Sequence, residues 1–333
     1  MIQRTRRHFL RCGGLAFASL AIQHHLFAHM NNTATLDEVR YDVIIIGGSY
    51  SGLAAGMALG RALRNVLIID AGLPCNRKAP YSHNFITHDG RSPAEISRIA
   101  REQVAAYDTV RMIQGQAVKG LRTANGFTVE LADGRTYAAG KLIFATGITD
   151  IMPNIEGFTE CWGISVLHCP YCHGYEVRGL PTGVITNSGA EFDYVLLIAN
   201  WTQYLMVFTN GVSALSTDQT NTLSARGIRI CEKPIASLNH KDGHIHNVEL
   251  QDGNRVPLDV LYSRRPFKQH CTIPTSMGCE LLDEGYIKVD QTMQTSIDGI
   301  YACGDNTTPM RTVANAVATG TAVGMHVNKA LLA

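Results

Sequence analysis

Short β-branched apolar runs alternate along the chain with stretches whose apolar and small residues recur at helical spacing, a pattern that predicts a layered α/β protein. The first run, Tyr41-Asp42-Val43-Ile44-Ile45-Ile46, is closed by Gly47-Gly48-Ser49-Tyr50-Ser51-Gly52. Leu53 to Leu63 reads as a helix, and Asn65 to Asp70 as a second strand that ends in an acid. Ser92 and Pro93 open an amphipathic helix over 93–106. Strands follow at Val110–Ile113, Phe127–Leu131 and Thr136–Tyr137, and a buried one runs from Lys141 into Ala145-Thr146-Gly147.

Pro153 and the region of Gly157 mark a boundary, beyond which the alternation restarts. Pro181 to Gly189 reads as strand and turn, Phe192–Ala199 as helix and Tyr204–Thr209 as strand. Short strands at Arg229–Ile230, Val248–Leu250 and Val260–Tyr262 close this unit. The tail holds two strand-like stretches, Tyr286–Val289 and Gly299 to Asp305, then a small-residue helix over Val313–Leu332. Two Rossmann-like βαβ units of three layers are therefore expected.

In the first unit, a strand, a glycine turn, a helix and a second strand ending in Asp70 form a dinucleotide-binding pattern. Gly47 permits the tight turn, the helix N-terminus receives pyrophosphate, and Asp70 holds ribose hydroxyls. Ser49 stands where the middle glycine of the pattern belongs, small enough to let phosphate approach and able to donate a hydrogen bond. The polar loop from Ala71 to Thr87 is of the kind that covers a ligand.

Composition narrows the partners. The 29 basic residues nearly balance the 28 acidic ones, and no basic stripe with interleaved aromatics argues for nucleic acid. Residues 1–40 differ from the rest: Thr5-Arg6-Arg7-His8-Phe9-Leu10-Arg11 before the apolar run Gly13–Ile22 fits a twin-arginine export signal. That run is too short to span a bilayer, so no membrane span is expected. A start at Met30 is the other reading, and it would leave the protein in the cytoplasm.

The chemistry centres on His168-Cys169-Pro170-Tyr171-Cys172-His173. Cys-x-x-Cys spacing suits a redox-active or structural disulfide, half a zinc site or, with His173 following, covalent haem attachment. No second Cys-x-x-Cys completes a zinc site, and no metal is expected.

From about residue 41 onward the chain resembles the low-molecular-weight thioredoxin reductase family. Four motifs carry the likeness: Gly47–Gly52 with Asp70, Ala145-Thr146-Gly147, the central Cys-x-x-Cys, and Gly299-Ile300-Tyr301-Ala302-Cys303-Gly304-Asp305. The resemblance implies FAD, held by Gly47, Ser49, Gly52, Asp70, Thr146, Gly147, Gly304 and Asp305. It implies an FAD domain in two pieces, 41–150 and 265–333, split by an inserted NADPH-like domain, 151–264, that carries the dithiol. It also implies a homodimer, with Cys169 as the exchange thiol, Cys172 facing the flavin and the helix N-terminus near Met310–Val313 directed at the isoalloxazine.

Two departures redirect the expectation. Thr186, Ser188 and Glu191 occupy the small-residue positions of the second nucleotide turn, and Phe208-Thr209-Asn210-Gly211 offers no cation for a 2′-phosphate. His173 replaces the family's aspartate, which is similar to the gliotoxin-type dithiol oxidases and their bacterial relatives. The expected activity is oxidation of small dithiols with oxygen as acceptor, with Cys169, Cys172 and His173 as catalytic residues and His168 as a further acid/base. The alternatives are a disulfide reductase, acting on a small disulfide or a thioredoxin-like protein with NADPH or another donor, and a non-catalytic flavin redox sensor. Residues 263–271 read as a solvated connector, with the border of a substrate entrance as the other reading, and His83, His88 and His270 read equally well as surface residues.

Overall fold

The computed structural model describes residues 40–333; the export signal and the start at Met30 lie outside the described residues. The elements in chain order begin with β1 (Arg40–Ile46), α1 (Tyr50–Arg61), β2 (Val66–Asp70), α2 (Pro93–Ala105), β3 (Val110–Gln114), β4 (Ala117–Thr123), β5 (Gly126–Leu131) and β6 (Thr136–Phe144). Next come β7 (Ile148–Asp150), α3 (Phe158–Cys161), β8 (Val166–Leu167), α4 (Pro170–His173), β9 (Thr182–Ile185), α5 (Phe192–Ile198), β10 (Leu205–Phe208) and α6 (Thr217–Ala225). The remainder is β11 (Arg229–Cys231), β12 (Ile235–Lys241), β13 (His244–Leu250), β14 (Arg255–Pro257), β15 (Val260–Ser263), β16 (Phe267–Gln269), α7 (Ile273–Ser276), β17 (Ile300–Ala302) and α8 (Val313–Ala330).

The first sheet runs β3-β2-β1-β6-β5-β4, and β17 also pairs with β6. What reads in the sequence as two strands, at 136 and at 141, is the single strand β6. Its first half pairs antiparallel with β5, and its last three residues pair in parallel with β17. The β-branched residues of β1 and β2 are buried on both faces, as a covered parallel sheet requires. One face packs on Leu131, Ile273 and Ile287; the other packs on Leu53 and Leu59 of α1 and Val323 and Val327 of α8. The C-terminal segment thus completes the sheet that the first residues begin.

The second sheet, β11-β10-β9-β15-β8, is parallel throughout. β13 does not belong to it, contrary to the sequence reading of Val248–Leu250. It forms a separate antiparallel sheet with β12 and β14. Tyr286–Val289 forms isolated bridges, Leu281 with Ile287 and Val289 with Thr295, in place of the expected strand. Residues 263–271 include β16, which pairs antiparallel with β7. The two sheets are therefore joined by a two-stranded ribbon, where the sequence suggests a solvated connector.

Ser92 caps α2 by accepting the Glu95 N–H, with Pro93 at the first turn as expected. Thr312 caps α8 in the same way, accepting from Asn315 N. Among the described residues no helix is long and apolar enough to cross a membrane.

Candidate functional site

The turn after β1 is built around backbone proximity. Gly47 has φ 106°, a left-handed value. A Cβ on Gly52 would sit 1.8 Å from the Gly47 carbonyl oxygen, so only hydrogen fits there. Ser49 precedes α1 without making a side-chain cap, and no acid occupies the first turn of that helix. The positive end of α1 is thus left for an anion. Asp70 accepts from Gly48 N at 3.2 Å, and Arg101 of α2 binds both Asp70 and the Gly48 carbonyl. Arg101 has no counterpart in the sequence reading; it ties the acid to the turn.

The opposite end of the slot is formed where β6 and β17 finish. Thr146 and Gly147 follow β6, and Gly304 (φ 84°) turns the chain after β17. Asn306 is fully buried and donates to the Phe144 carbonyl at 2.9 Å and to Thr146 Oγ1 at 3.2 Å. Arg311 makes a forked pair with Asp150 at 2.8 and 2.9 Å and lies 3.9 Å from Asp305. Burial raises the Asp305 pKa, and Arg311 opposes that rise. Burial also works against the charge on Arg311, yet the Asp150 hydrogen bonds hold its pKa above the usual guanidinium value. Cys75 is exposed on this cavity, beside Asp305. Desolvation and the Asp305 charge push its thiol up to about 12, so it stays protonated.

Two adjoining cavities of about 210 and 230 Å³ share Ser49, Ala145, Thr146 and His270. Together they fall within the roughly 300–1,000 Å³ of cofactor sites. One holds Gly47, Gly48 and Asp70; the other holds Asp305, the Thr312 end of α8 and the cysteine pair. A glycine cradle, two helix N-termini without acids in their first turns and an acid at each end of the slot fit FAD lying extended. The loop after β2 lines the same cavity through Leu73, Asn76, Ala79 and Ser82, as its polar sequence suggests.

Cys169 and Cys172 are joined as a disulfide, with Cα atoms 5.3 Å apart. Pro170 starts the single turn α4, which brings Cys172 N within 3.1 Å of Cys169 Sγ. The Tyr194 hydroxyl donates to the His168 carbonyl at 2.8 Å and fixes the entry to this turn. Burial pushes His168 down to about 4, with Arg311 adding to the effect. Burial likewise pushes His173 down to about 4, with His83 contributing. Both imidazoles are neutral at neutral pH and line the cavity that holds the two sulfurs. His83, read as a surface residue in the sequence, lines this cavity and has a side chain only 17% exposed. His270, also read as a surface residue, is exposed but lines both cavities and shares a 2.8 Å hydrogen bond with Thr149.

In the second sheet, the turn after β9 is closed on itself. Ser188 N donates to Thr186 Oγ1, Ala190 N to Ser188 Oγ and Glu191 N to the Ser188 carbonyl. Asn187 bridges to Val212 O and Ala214 N, and Gln219 of α6 packs over Gly189 and donates to its carbonyl. Three backbone donors of the turn, those of Ser188, Ala190 and Glu191, are thus occupied from within it. Asn210 is likewise committed, accepting from Ile235 N at 2.7 Å. His240-x-x-x-His244 spans the turn between β12 and β13, but among the described residues no group of three His, Cys, Asp or Glu is placed to hold a metal.

Asn306, Arg311 and Arg101 escape the sequence reading, which considers His83 without giving it a role. Asn306 and Arg311 do stand beside motif residues, Asp305 and Thr312, which is the one signal available for them.

Residues 41–320 match the pyridine nucleotide-disulphide oxidoreductase family. Thioredoxin reductase tcpT of Claviceps purpurea is 32% identical over 303 residues, spanning 88% of this chain and 94% of that protein. The crystal structure of an oxidoreductase from Agrobacterium tumefaciens matches with a TM-score of 0.83 at 38% identity, over 88% of this chain and 99% of its own. That of HlmI matches at 0.82 and 31% identity, over 88% and 92% of the two chains. The chain belongs to the pyridine nucleotide-disulphide oxidoreductase family and is an FAD-dependent thiol-disulfide oxidoreductase of the thioredoxin reductase type.

Proposed function

We propose that the protein oxidises a small dithiol to its disulfide through Cys169–Cys172 and FAD, with oxygen as the final acceptor and without NADPH. The self-closed turn after β9, with the Ser188, Ala190 and Glu191 N–H groups spent on Thr186 and Ser188, carries this reading. A phosphate there would have to break those bonds and lie near Glu191, with no cation at Asn210 to repay it.

In this reading Gly47, Ser49, Gly52 and Asp70 hold the adenine dinucleotide half of FAD. Thr146, Gly147, Gly304 and Asp305 hold the flavin half. Bound FAD supplies the two-electron exchange that resets the cysteine pair. Cys169 takes the incoming substrate thiolate, its bond to Cys172 breaks, and the second substrate sulfur then displaces Cys169. One substrate disulfide forms as one enzyme disulfide opens. His173, neutral and beside Cys172, accepts the thiol proton, and His168 flanks Cys169 in the same state. A thioredoxin-like protein is the larger partner that the same exchange could serve, and the homodimer is part of this proposal.

Replacing Cys172 by serine should leave FAD bound and yellow when a dithiol is added without oxygen. Bleaching at the wild-type rate in C172S would contradict the scheme.

A further inference from the structure

The cavity that holds the disulfide and the open groove outside it are separate spaces. The groove is lined by Asp89, Pro170, Tyr171, Tyr175, Glu176 and Trp201, with Asn84 at its edge. Among the described residues His83 alone lines both. Its Nδ1 lies 3.5 Å from Asp89 Oδ2 and 3.5 Å from Glu176 Oε1, which leaves Nε2 without a carboxylate partner. Asp89 is 66% exposed and Glu176 39%, so the groove side of the pair is wet.

The loop that carries His83 is held firmly. Ser82 N donates to Arg91 O at 2.8 Å and Gly90 N to Ser82 O at 2.9 Å. Asn84 N donates to Asp89 Oδ1 at 2.7 Å, so the acid is fixed by the residue next to His83. The other titratable groups around this ring are Tyr81, with ring centroids 6.4 Å apart, and His173, which shares its cavity and feels its charge. His173 is a half-buried base that shares its cavity with His83, and His83 in turn meets two solvent-facing acids.

We propose that His83 relays protons between His173 at the cysteine pair and bulk water, by way of Asp89 and Glu176. The proposal rests on the dithiol-oxidation reading. When a substrate dithiol reduces the pair, two electrons pass from the two substrate sulfurs into the Cys169–Cys172 bond. One S–S bond forms and one breaks, and two S–H protons leave the substrate. One proton stays on the reduced pair, which is left as a thiol and a thiolate, and the other leaves the cavity. His173 takes it first, His83 Nε2 accepts it, and Nδ1 yields its own proton to the carboxylates and on to water. The relay runs in reverse when a proton is needed at the pair. His83 acts through His173 and is a positioning residue for the proton rather than a group that touches the reacting sulfurs.

The test is anaerobic stopped-flow bleaching of the flavin by dithiothreitol in the holoenzyme, across pH, in the wild type, H83Q and the double variant D89N/E176Q. For H83Q we expect bleaching at neutral pH to slow by roughly tenfold, within reach of a lost acid–base group. Added imidazole should restore it, and flavin content should stay at the wild-type level. D89N/E176Q, which keeps the His83 ring, should change the pH profile of bleaching in the direction of H83Q. Unchanged rates and pH profiles in both variants overturn the relay while leaving dithiol oxidation intact. Slowing that imidazole does not rescue overturns it too, because that marks a purely structural role. A wild-type flavin that dithiothreitol cannot bleach brings down the functional reading and the relay together.

Discussion

His168 and His173 bracket the disulfide as neutral rings, and that state has a measurable consequence. Their pKa values fall from the ordinary 6.5 to about 4 on folding, chiefly through burial. Between those values the unfolded chain binds more protons than the folded one, so stability is full above pH 6.5 and is lost as pH falls towards 4. Allowing for partial solvent access, the loss should be roughly 1–2 kcal/mol for each histidine. Denaturant unfolding of the holoenzyme at pH 7 and at pH 4.5 measures it. In H173Q the pH-dependent part should shrink, and an undiminished slope would show that the buried imidazole is not its source. At this scale the sequence was a partial guide. Cys169, Cys172 and Asp70 announce themselves by spacing, whereas His83 and Arg101 depend on which loops and helices meet in space. Arg311 likewise has its role only because β7 brings Asp150 against it.

Among the elements, the crossing of α1 and α8 sets the two ends of the cofactor slot. A Cβ on Gly320 would lie 2.1 Å from the Ser51 carbonyl oxygen, so backbone meets backbone at that point. Gly320→Ala should therefore push the helices apart and destabilise the protein by about 1–3 kcal/mol, as overpacking generally does. Flavin content should fall with it, because the Gly47–Gly52 turn and the Thr312 end of α8 move together. Thermal unfolding with flavin quantitation checks both, and full occupancy with an unchanged melting temperature would contradict the account. Elements with two buried faces were legible from apolar runs. β4 was not, because Gly120 is its only fully buried residue. β12 was hidden because Ile235 and Leu238 alone are buried, across an irregular register. The break read within β6 is a change of partner: the strand runs straight on while its neighbour changes from β5 to β17.

For the molecule as a whole, the first sheet takes strands from both ends of the described chain, and the dithiol arrives on the segment between them. We propose domain limits near residues 150 and 265, where β7 and β16 run side by side as the link. The family, the fold class and FAD were legible in four ordered motifs. The self-closure of the second nucleotide turn was only half legible: Thr186, Ser188 and Glu191 show bulk, but not that Asn187 and Gln219 fasten the turn. On that closure rests our proposal of an electron route that enters through the cysteine pair and not through a nicotinamide. The most direct test is an anaerobic titration of the holoenzyme followed by flavin absorbance. The account predicts complete bleaching by a stoichiometric small dithiol and none by NADPH. Full reduction by micromolar NADPH, with the dithiol inert, would contradict it.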